Sequence, residues 1–248
     1  WNIQSGLLLK TWDAHYKEIL DLEFSVDDHV LISTSGDTNA IIWAFQAEIL
    51  QIENQSVTPF ATLSGHSLSI TGIHLSHLLM EHSRYFTCSL DATVKIWAPI
   101  RGRSGTFNGG LHDSTQTQLL NTILFPRPLT CCVVDTREAT LYAGDTDGVI
   151  YKTNLYPVHE HVPSNNSAQS TFHTSPVGEQ RLVFTQHENR IESIKLSWDE
   201  TLLVSSSLDE TTIIWDTFTR SCLRVLKNVS GCILLPFLSA DAFLHATP

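Results

Sequence analysis

A hydroxyl, an imidazole and a carboxylate make a hydrolytic triad when the hydroxyl attacks, the imidazole takes its proton and the carboxylate orients the ring. This chain carries such a set three times. LISTSGDTNAIIW ends at Trp43, YFTCSLDATVKIW at Trp97 and LVSSSLDETTIIW at Trp215. Asp37, Asp91 and Asp209 each stand six residues before the Trp, and Ser33, Thr87 and Ser205 stand four before the Asp. His15, His66 and His187 lie upstream, at His-to-Trp spacings of 28, 31 and 28 residues. A catalytic triad is normally present once. A set repeated in register is read as structural, so no catalytic residue is expected.

Other chemistry is sparse. Histidine is common, at 12 residues, but His159, Glu160 and His161 form the only tight cluster. It lies in a Ser/Asn-rich stretch, which reads as a solvated loop, and no metal or cofactor site is expected. Glycine motifs that cradle phosphate are absent; RGRSGTFNGG reads as a flexible loop. Five cysteines, Cys88, Cys131, Cys132, Cys222 and Cys232, are odd in number and form no C-x-x-C pair, so neither a disulfide framework nor a zinc site is indicated. That usage fits a reducing compartment. Three glycosylation triplets, at Asn54, Asn165 and Asn228, read as chance in a Ser-rich chain.

Fifteen basic against 26 acidic residues give a formal charge of −11. Nucleic-acid affinity rests on Lys and Arg against phosphate, so direct RNA binding is disfavoured and a basic protein partner suits the balance better. The longest apolar run, CILLPFL from Cys232 to Leu238, is far short of the roughly 20 residues of a membrane helix. The sequence opens on Trp1 rather than Met, and a native N-terminus upstream is expected.

The elements that must position the repeated set are strands. Alternating runs such as ILDLEFS and β-branched runs such as TVKIW and TTIIW carry the period of two; SVDDH, SLDA and SLDE read as turns. A fourth, degenerate copy is PLTCCVVDTREATLYAGDTDGVIYKTNL, with Asp147 in the Asp place and Thr153 in the Trp place. Trp1 falls in the Trp place of an earlier copy, and SGCILLPFLSADAFLHATP reads as the start of a later one.

These residues resemble the WD-repeat family. Ser64-Gly65-His66 and Trp215-Asp216 match its Gly-His and Trp-Asp marks, whereas Ala14-His15, Trp43-Ala44 and Trp97-Ala98 depart from them. The resemblance implies an all-β propeller of four-stranded blades, seven in the full protein and incomplete in this chain. It places the end of a blade at 1–10 and blades at 11–64, 65–125, 126–185 (degenerate, with a long insertion at 157–180) and 186–227. Residues 228–248 would begin a further blade. It also implies that Trp, Ser or Thr, His and Asp form a buried hydrogen-bonded chain in each blade. The expected tetrads are His15/Ser33/Asp37/Trp43, His66/Thr87/Asp91/Trp97 and His187/Ser205/Asp209/Trp215.

Long connections follow Trp43, Trp97 and Thr153, each between the third and fourth strands of a blade. In the family's geometry these loops share one face of the disc, the bottom, and insertions on one face often mark a binding face. Partner contacts are accordingly expected at Tyr156, Val158, Phe172 and Arg181, and at Arg101 and Arg103. The order of features, from AHYKEILDLEFSVDDHVLISTSGDTNAIIW through GHSLSITGIHLS to the Trp-less ILFPRPLTCCVVDTREATLYAGDTDGVIYKTNLY, is similar to the WD-repeat subunit of the Rix complex. That resemblance implies a non-catalytic nuclear and nucleolar scaffold. It would join partner subunits and an AAA-type ATPase on large-subunit precursors, support removal of the internal transcribed spacer of pre-rRNA, and bind little RNA itself. Two alternatives stay open: a substrate receptor or adaptor of a signalling or ubiquitin-ligase complex, using the opposite face, and a propeller enzyme with unrepeated groups at the channel.

Overall fold

The computed structural model describes residues 2, 4–25, 29–44, 57, 59–76, 84–99, 117–156 and 182–227. Among them are sixteen strands and no helix. The strands form four antiparallel sheets, each built from four strands consecutive in sequence. The first holds β1 (Ile19–Phe24), β2 (Val30–Ser35), β3 (Asn39–Ala44) and β4 (Ala61–Ser64). The second holds β5 (Ile70–Leu75), β6 (Tyr85–Ser89), β7 (Thr93–Pro99) and β8 (Thr117–Leu124). The third holds β9 (Leu129–Val134), β10 (Thr140–Asp145), β11 (Val149–Asn154) and β12 (Leu182–Thr185). The fourth holds β13 (Ile191–Leu196), β14 (Leu202–Ser207), β15 (Thr211–Asp216) and β16 (Cys222–Lys227). Each sheet is a meander of four strands consecutive in sequence. The innermost strands β1, β5, β9 and β13 pack side by side in that order, which is the arrangement of propeller blades around an axis.

One irregularity recurs. The register of the first strand against the second skips a residue after Ile19, Ile70, Leu129 and Ile191. A β-bulge at each innermost strand increases local twist and bends the blade at the axis. Equivalent positions can therefore be compared across blades. Ile70, Leu129 and Ile191 are fully buried, but Ile19 is 47% exposed. Ile73 and Leu75 are buried, whereas the matching Leu22 and Phe24 are 54% and 50% exposed. In the second to fourth blades this face lies against the preceding blade. Among the described residues no blade covers it in the first.

Apolar side chains fill the seams between neighbouring sheets. Ile32, Ile42, Leu63, Ile70, Ile73 and Trp97 fill the first seam; Phe86, Val94, Leu129, Val134, Leu141 and Tyr151 the second; Tyr142, Ile150, Phe184, Ile194, Leu203 and Trp215 the third. β2, β6 and β10, which lie inside their sheets, are buried along nearly their whole length. Burying a large aliphatic or aromatic side chain of this kind contributes about 1.5–3 kcal/mol. Polar bonds also cross the seams. The Asp21 carboxylate accepts the Ile73 amide at 3.0 Å, and Thr71 Oγ1 donates to the Leu129 carbonyl at 2.9 Å. Burial pushes the Asp21 carboxyl up from its ordinary value, against the pull of that amide.

The second-to-third-strand turns share a backbone shape. Thr38, Ala92, Gly148 and Glu210 occupy the same place, one residue after the repeated Asp position, and all have positive φ, from 62° at Ala92 and Glu210 to 86° at Gly148. A side chain there costs on the order of 1 kcal/mol, which three of the four blades tolerate. Gly148 is different. A Cβ on it would lie 2.6 Å from the His187 carbonyl oxygen and 2.9 Å from that of Asn189, both backbone atoms of the next blade's entry loop. Contact, rather than φ alone, dictates glycine here. Gly148→Ala is therefore expected to lower stability by at least about 2 kcal/mol, measured by urea unfolding, whereas Ala92→Gly should cost nothing or stabilise slightly. Equal behaviour of the two would show that the seam is not tight at this turn.

Candidate functional site

The repeated set assembles in the same way in three blades. Ser33 sits on β2 and Trp43 on β3, while Asp37 lies in the turn between them and His15 precedes β1. The Trp43 indole Nε1–H donates to Ser33 Oγ at 2.9 Å, Ser33 Oγ lies 2.8 Å from His15 Nε2, and His15 Nδ1 lies 2.9 Å from Asp37 Oδ2. In the second blade the corresponding distances are 3.0 Å for Trp97 to Thr87, 2.8 Å for Thr87 to His66 and 2.9 Å for His66 to Asp91. In the fourth they are 2.8 Å for Trp215 to Ser205, 2.8 Å for Ser205 to His187 and 2.9 Å for His187 to Asp209.

Proton bookkeeping fixes the roles. The indole can only donate and the carboxylate can only accept. The hydroxyl accepts from the indole, which leaves its own proton for Nε2 and the Nδ1–H for the Asp. Ser33, Thr87 and Ser205 are buried with both functions of the hydroxyl occupied. A nucleophile needs an open approach, and these buried hydroxyls beneath the indole rings have none. Each set ties two strands, the turn between them and the entry loop of its blade to one another.

Further groups complete each set. The Asp37, Asp91 and Asp209 amides donate to Ser35, Ser89 and Ser207 Oγ, two residues before each, at 3.1 Å in every case. Thr93 and Thr211 hydroxyls donate to Asp91 and Asp209 at 2.6 Å. The serines recur in register, which is the signal in sequence that identifies them; the threonines recur in two blades, with Asn39 in the first. Burial by itself raises the Asp91 carboxyl, but hydrogen bonds from His66, Thr93 and the Ser67 amide outweigh it and hold the group well below the usual carboxylate range. Asp209 meets the same opposition of burial with Thr211, Glu188 amide and His187 bonds, and is lowered to about 2. Asp37 is lowered in the same way, by its bonds to the Asn39 and Tyr16 amides and to His15.

The third blade solves the problem differently. Asp147, expected in the Asp place, is half exposed and pairs with Arg127 at 3.3 Å. With no Trp–Ser–His chain to receive it, it turns to solvent. The buried carboxylate is Asp145, in the position of Ser35, Ser89 and Ser207. Its Oδ2 accepts the Tyr151 hydroxyl at 2.8 Å, and its Oδ1 accepts the Asp147 and Val149 amides at 2.9 and 2.8 Å. One residue thus replaces both the serine and the aspartate of the other blades. Thr153, in the Trp place, is buried with its hydroxyl unbonded, a cost that Trp avoids elsewhere.

Of the expected partner residues, Tyr156 alone lies among the described residues. Val158, Phe172, Arg181, Arg101 and Arg103 lie outside them, as does the His159–Glu160–His161 cluster. Tyr156 is exposed, its ring stacks under the Arg84 guanidinium, and its hydroxyl bonds Arg84 Nη1. Arg84 also meets the buried Glu138 carboxylate at 3.1 Å. Tyr156 is therefore tied to the seam between the second and third blades at the point where residues 157–181 leave it. Among the described residues no group of three or more His, Cys, Asp or Glu is placed to hold a metal ion.

Asp91→Ala and Tyr151→Phe are expected to lower stability by about 1–3 kcal/mol each, because each leaves buried polar partners unpaired; thermal melting measures it. A Tyr151→Phe variant as stable as the parent would mean that Asp145 needs only its backbone donors. The depressed carboxylates also predict acid sensitivity. Their stabilisation is fully present above the unfolded-state value near 4 and fades as pH falls through the folded values, about 2 for Asp209, because the unfolded chain binds more protons in that window. Urea midpoints measured from about pH 5 to about pH 2 should fall, and less steeply for Asp209→Asn.

Comparison with known proteins places this geometry. The WD domain, G-beta repeat family matches residues 6–44, 57–98 and 178–216, leaving the Trp-less third sheet largely unmatched. WD repeat-containing protein 18 of Danio rerio is 28% identical over 247 residues, covering 98% of this chain and 52% of the relative. Pre-rRNA-processing protein crb3/ipi3 of Schizosaccharomyces pombe is 27% identical, covering 91% of this chain and 52% of the relative. Pre-rRNA-processing protein IPI3 of Yarrowia lipolytica is 28% identical, covering 92% and 49%. The chain spans about half the length of the curated relatives it matches.

Proposed function

Because this chain carries WD, G-beta repeats folded as the blades of a β-propeller, we propose that it is part of a non-catalytic scaffold that serves pre-rRNA processing. One observation carries the reading: relatives named as pre-rRNA-processing proteins align over about nine-tenths of the chain. The hydrogen-bond geometry supports it, since the residues that suggested hydrolysis are consumed in holding the blades.

In this proposal the protein belongs to a Rix-type assembly in the nucleus and nucleolus. It joins partner subunits and an AAA-type ATPase on the large-subunit precursor, and it supports internal-spacer removal and maturation or export of that particle. The blades at 11–64, 65–125, 126–185 and 186–227 form the scaffold. The connections at residues 45–60, 100–116 and 157–181 all join a third strand to a fourth and so leave from one end of the sheets. Partner contacts concentrate there, with Tyr156 as a root fixed by Arg84. A charge of −11 leaves RNA contact to the partners.

Depletion of the full-length protein is expected to accumulate spacer-containing pre-rRNA, and the tagged protein should sediment with large-subunit precursors. Deleting residues 157–180 should weaken both partner recovery and sedimentation while the melting transition is retained. Normal pre-rRNA profiles after depletion would overturn the proposal. Submicromolar binding of the purified protein to pre-rRNA fragments at physiological salt would overturn its RNA-independent part.

A further inference from the structure

Two thiols from different blades meet inside the second seam. Cys88, on β6 of the second blade, is fully buried, and Cys132, on β9 of the third, is buried beside it. Both belong to the apolar cluster that joins those blades, with Phe86, Leu129 and Leu141. Cys131 is placed differently. Successive residues of a strand point to opposite faces, and the Cys131 side chain packs against the cluster of the third seam instead. Glycine at residue 72 leaves room for the pair. A Cβ there would lie 2.9 Å from Cys88 Sγ and 3.2 Å from the Cys131 Cα, so any side chain at this position would drive β6 and β9 apart.

The polar contacts of the two thiols are weak ones. Thr71 Oγ1 lies 3.7 Å from Cys88 Sγ, and the Cys132 S–H donates to the Phe86 carbonyl at 3.8 Å. The adjacent Cys88 thiol, together with burial, pushes the Cys132 thiol well above its ordinary value. A protonated thiol is a poor nucleophile, so the closed seam keeps the pair reduced. The third blade is the one without a tetrad, and its Thr153 hydroxyl is buried and unbonded. Local opening is therefore expected at its seams before the others.

We propose that Cys88 and Cys132 are a redox-sensitive pair that hydrogen peroxide converts into a disulfide joining the second blade to the third. When the seam opens, the thiolate of one cysteine attacks a peroxide oxygen. The O–O bond breaks, hydroxide leaves and is protonated to water, and a sulfenic acid remains. When the seam closes, the second sulfur attacks the sulfenyl sulfur. The S–O bond breaks, and hydroxide leaves as water with the proton of the second thiol. The two sulfurs together lose two electrons, which the two peroxide oxygens gain. Once formed, the bond holds the seam shut, because the opened forms lose the chain freedom that favours them. In a reducing compartment such a bond is transient and is undone by thiol exchange. The inference goes beyond the scaffold reading and does not depend on it.

The test treats the full-length protein with hydrogen peroxide, caps the remaining thiols with an alkylating agent and maps the peptides without reductant. A peptide pair joined through Cys88 and Cys132 should appear, and dithiothreitol should remove it. Urea well below the unfolding midpoint should speed its formation by about fivefold, since opened forms become more populated. After oxidation, amide exchange at Phe86 and Val133 should slow by about tenfold or more. Cys131→Ala should leave the link intact and Cys88→Ala should abolish it; the map of the parent protein decides the inference even where Cys88→Ala fails to fold. Four results would overturn it: no joined pair with or without urea, a link from either cysteine to Cys131 or Cys222 instead, sulfinic acid accumulating at Cys88 or Cys132 without a link, or a link that leaves exchange across the seam unchanged.

Discussion

Three of the four repeats turn on one hydroxyl. Ser33, Thr87 and Ser205 each accept from an indole and donate to an imidazole, and no other common side chain of that size does both in so little space. Because the hydroxyl is buried, its two partners must be present, and the imidazole in turn needs the carboxylate. The strand that carries the hydroxyl, the neighbouring strand that carries the Trp, the turn that carries the Asp and the entry loop that carries the His are thereby fixed relative to one another. The chain of bonds runs from the inner strands of a blade to the loop that arrives from the previous one. Trp97 and Trp215 extend the same constraint into packing, since their rings fill the seams against the preceding blades.

The third blade shows that the constraint is satisfaction of buried polarity rather than any particular residue set. It lacks the Trp and the His, and its Asp147 turns to solvent. Asp145 and Tyr151 supply a buried donor–acceptor pair in their place, and the two turn amides that Asp145 accepts keep the turn shape common to the other blades. Tyr151 also packs across the second seam, taking over part of the space-filling role of a Trp. The unbonded Thr153 hydroxyl is the residue of an incomplete replacement.

Function follows from what is left over once these demands are met. The repeated polar groups lie inside, committed to each other. The third-to-fourth-strand connections leave from one end of the sheets, with Tyr156 at the root of one of them.

The sequence by itself determined the repeat, its strands and the membership of three tetrads, because a side-chain chain of fixed donors and acceptors demands fixed residue types at fixed spacing. Ser35, Ser89 and Ser207 were legible in the same register. The pairing of Asp145 with Tyr151 was not. Spacing pointed to Asp147, and only β-sheet register, which puts residues 145 and 151 on one face of adjacent strands, brings the buried pair together. Likewise the contact of Arg84 with Glu138 and Tyr156 joins residues 54 and 72 positions apart in the chain, a proximity set by blade-on-blade packing. The need for glycine at residue 148 arises from carbonyls of the next blade.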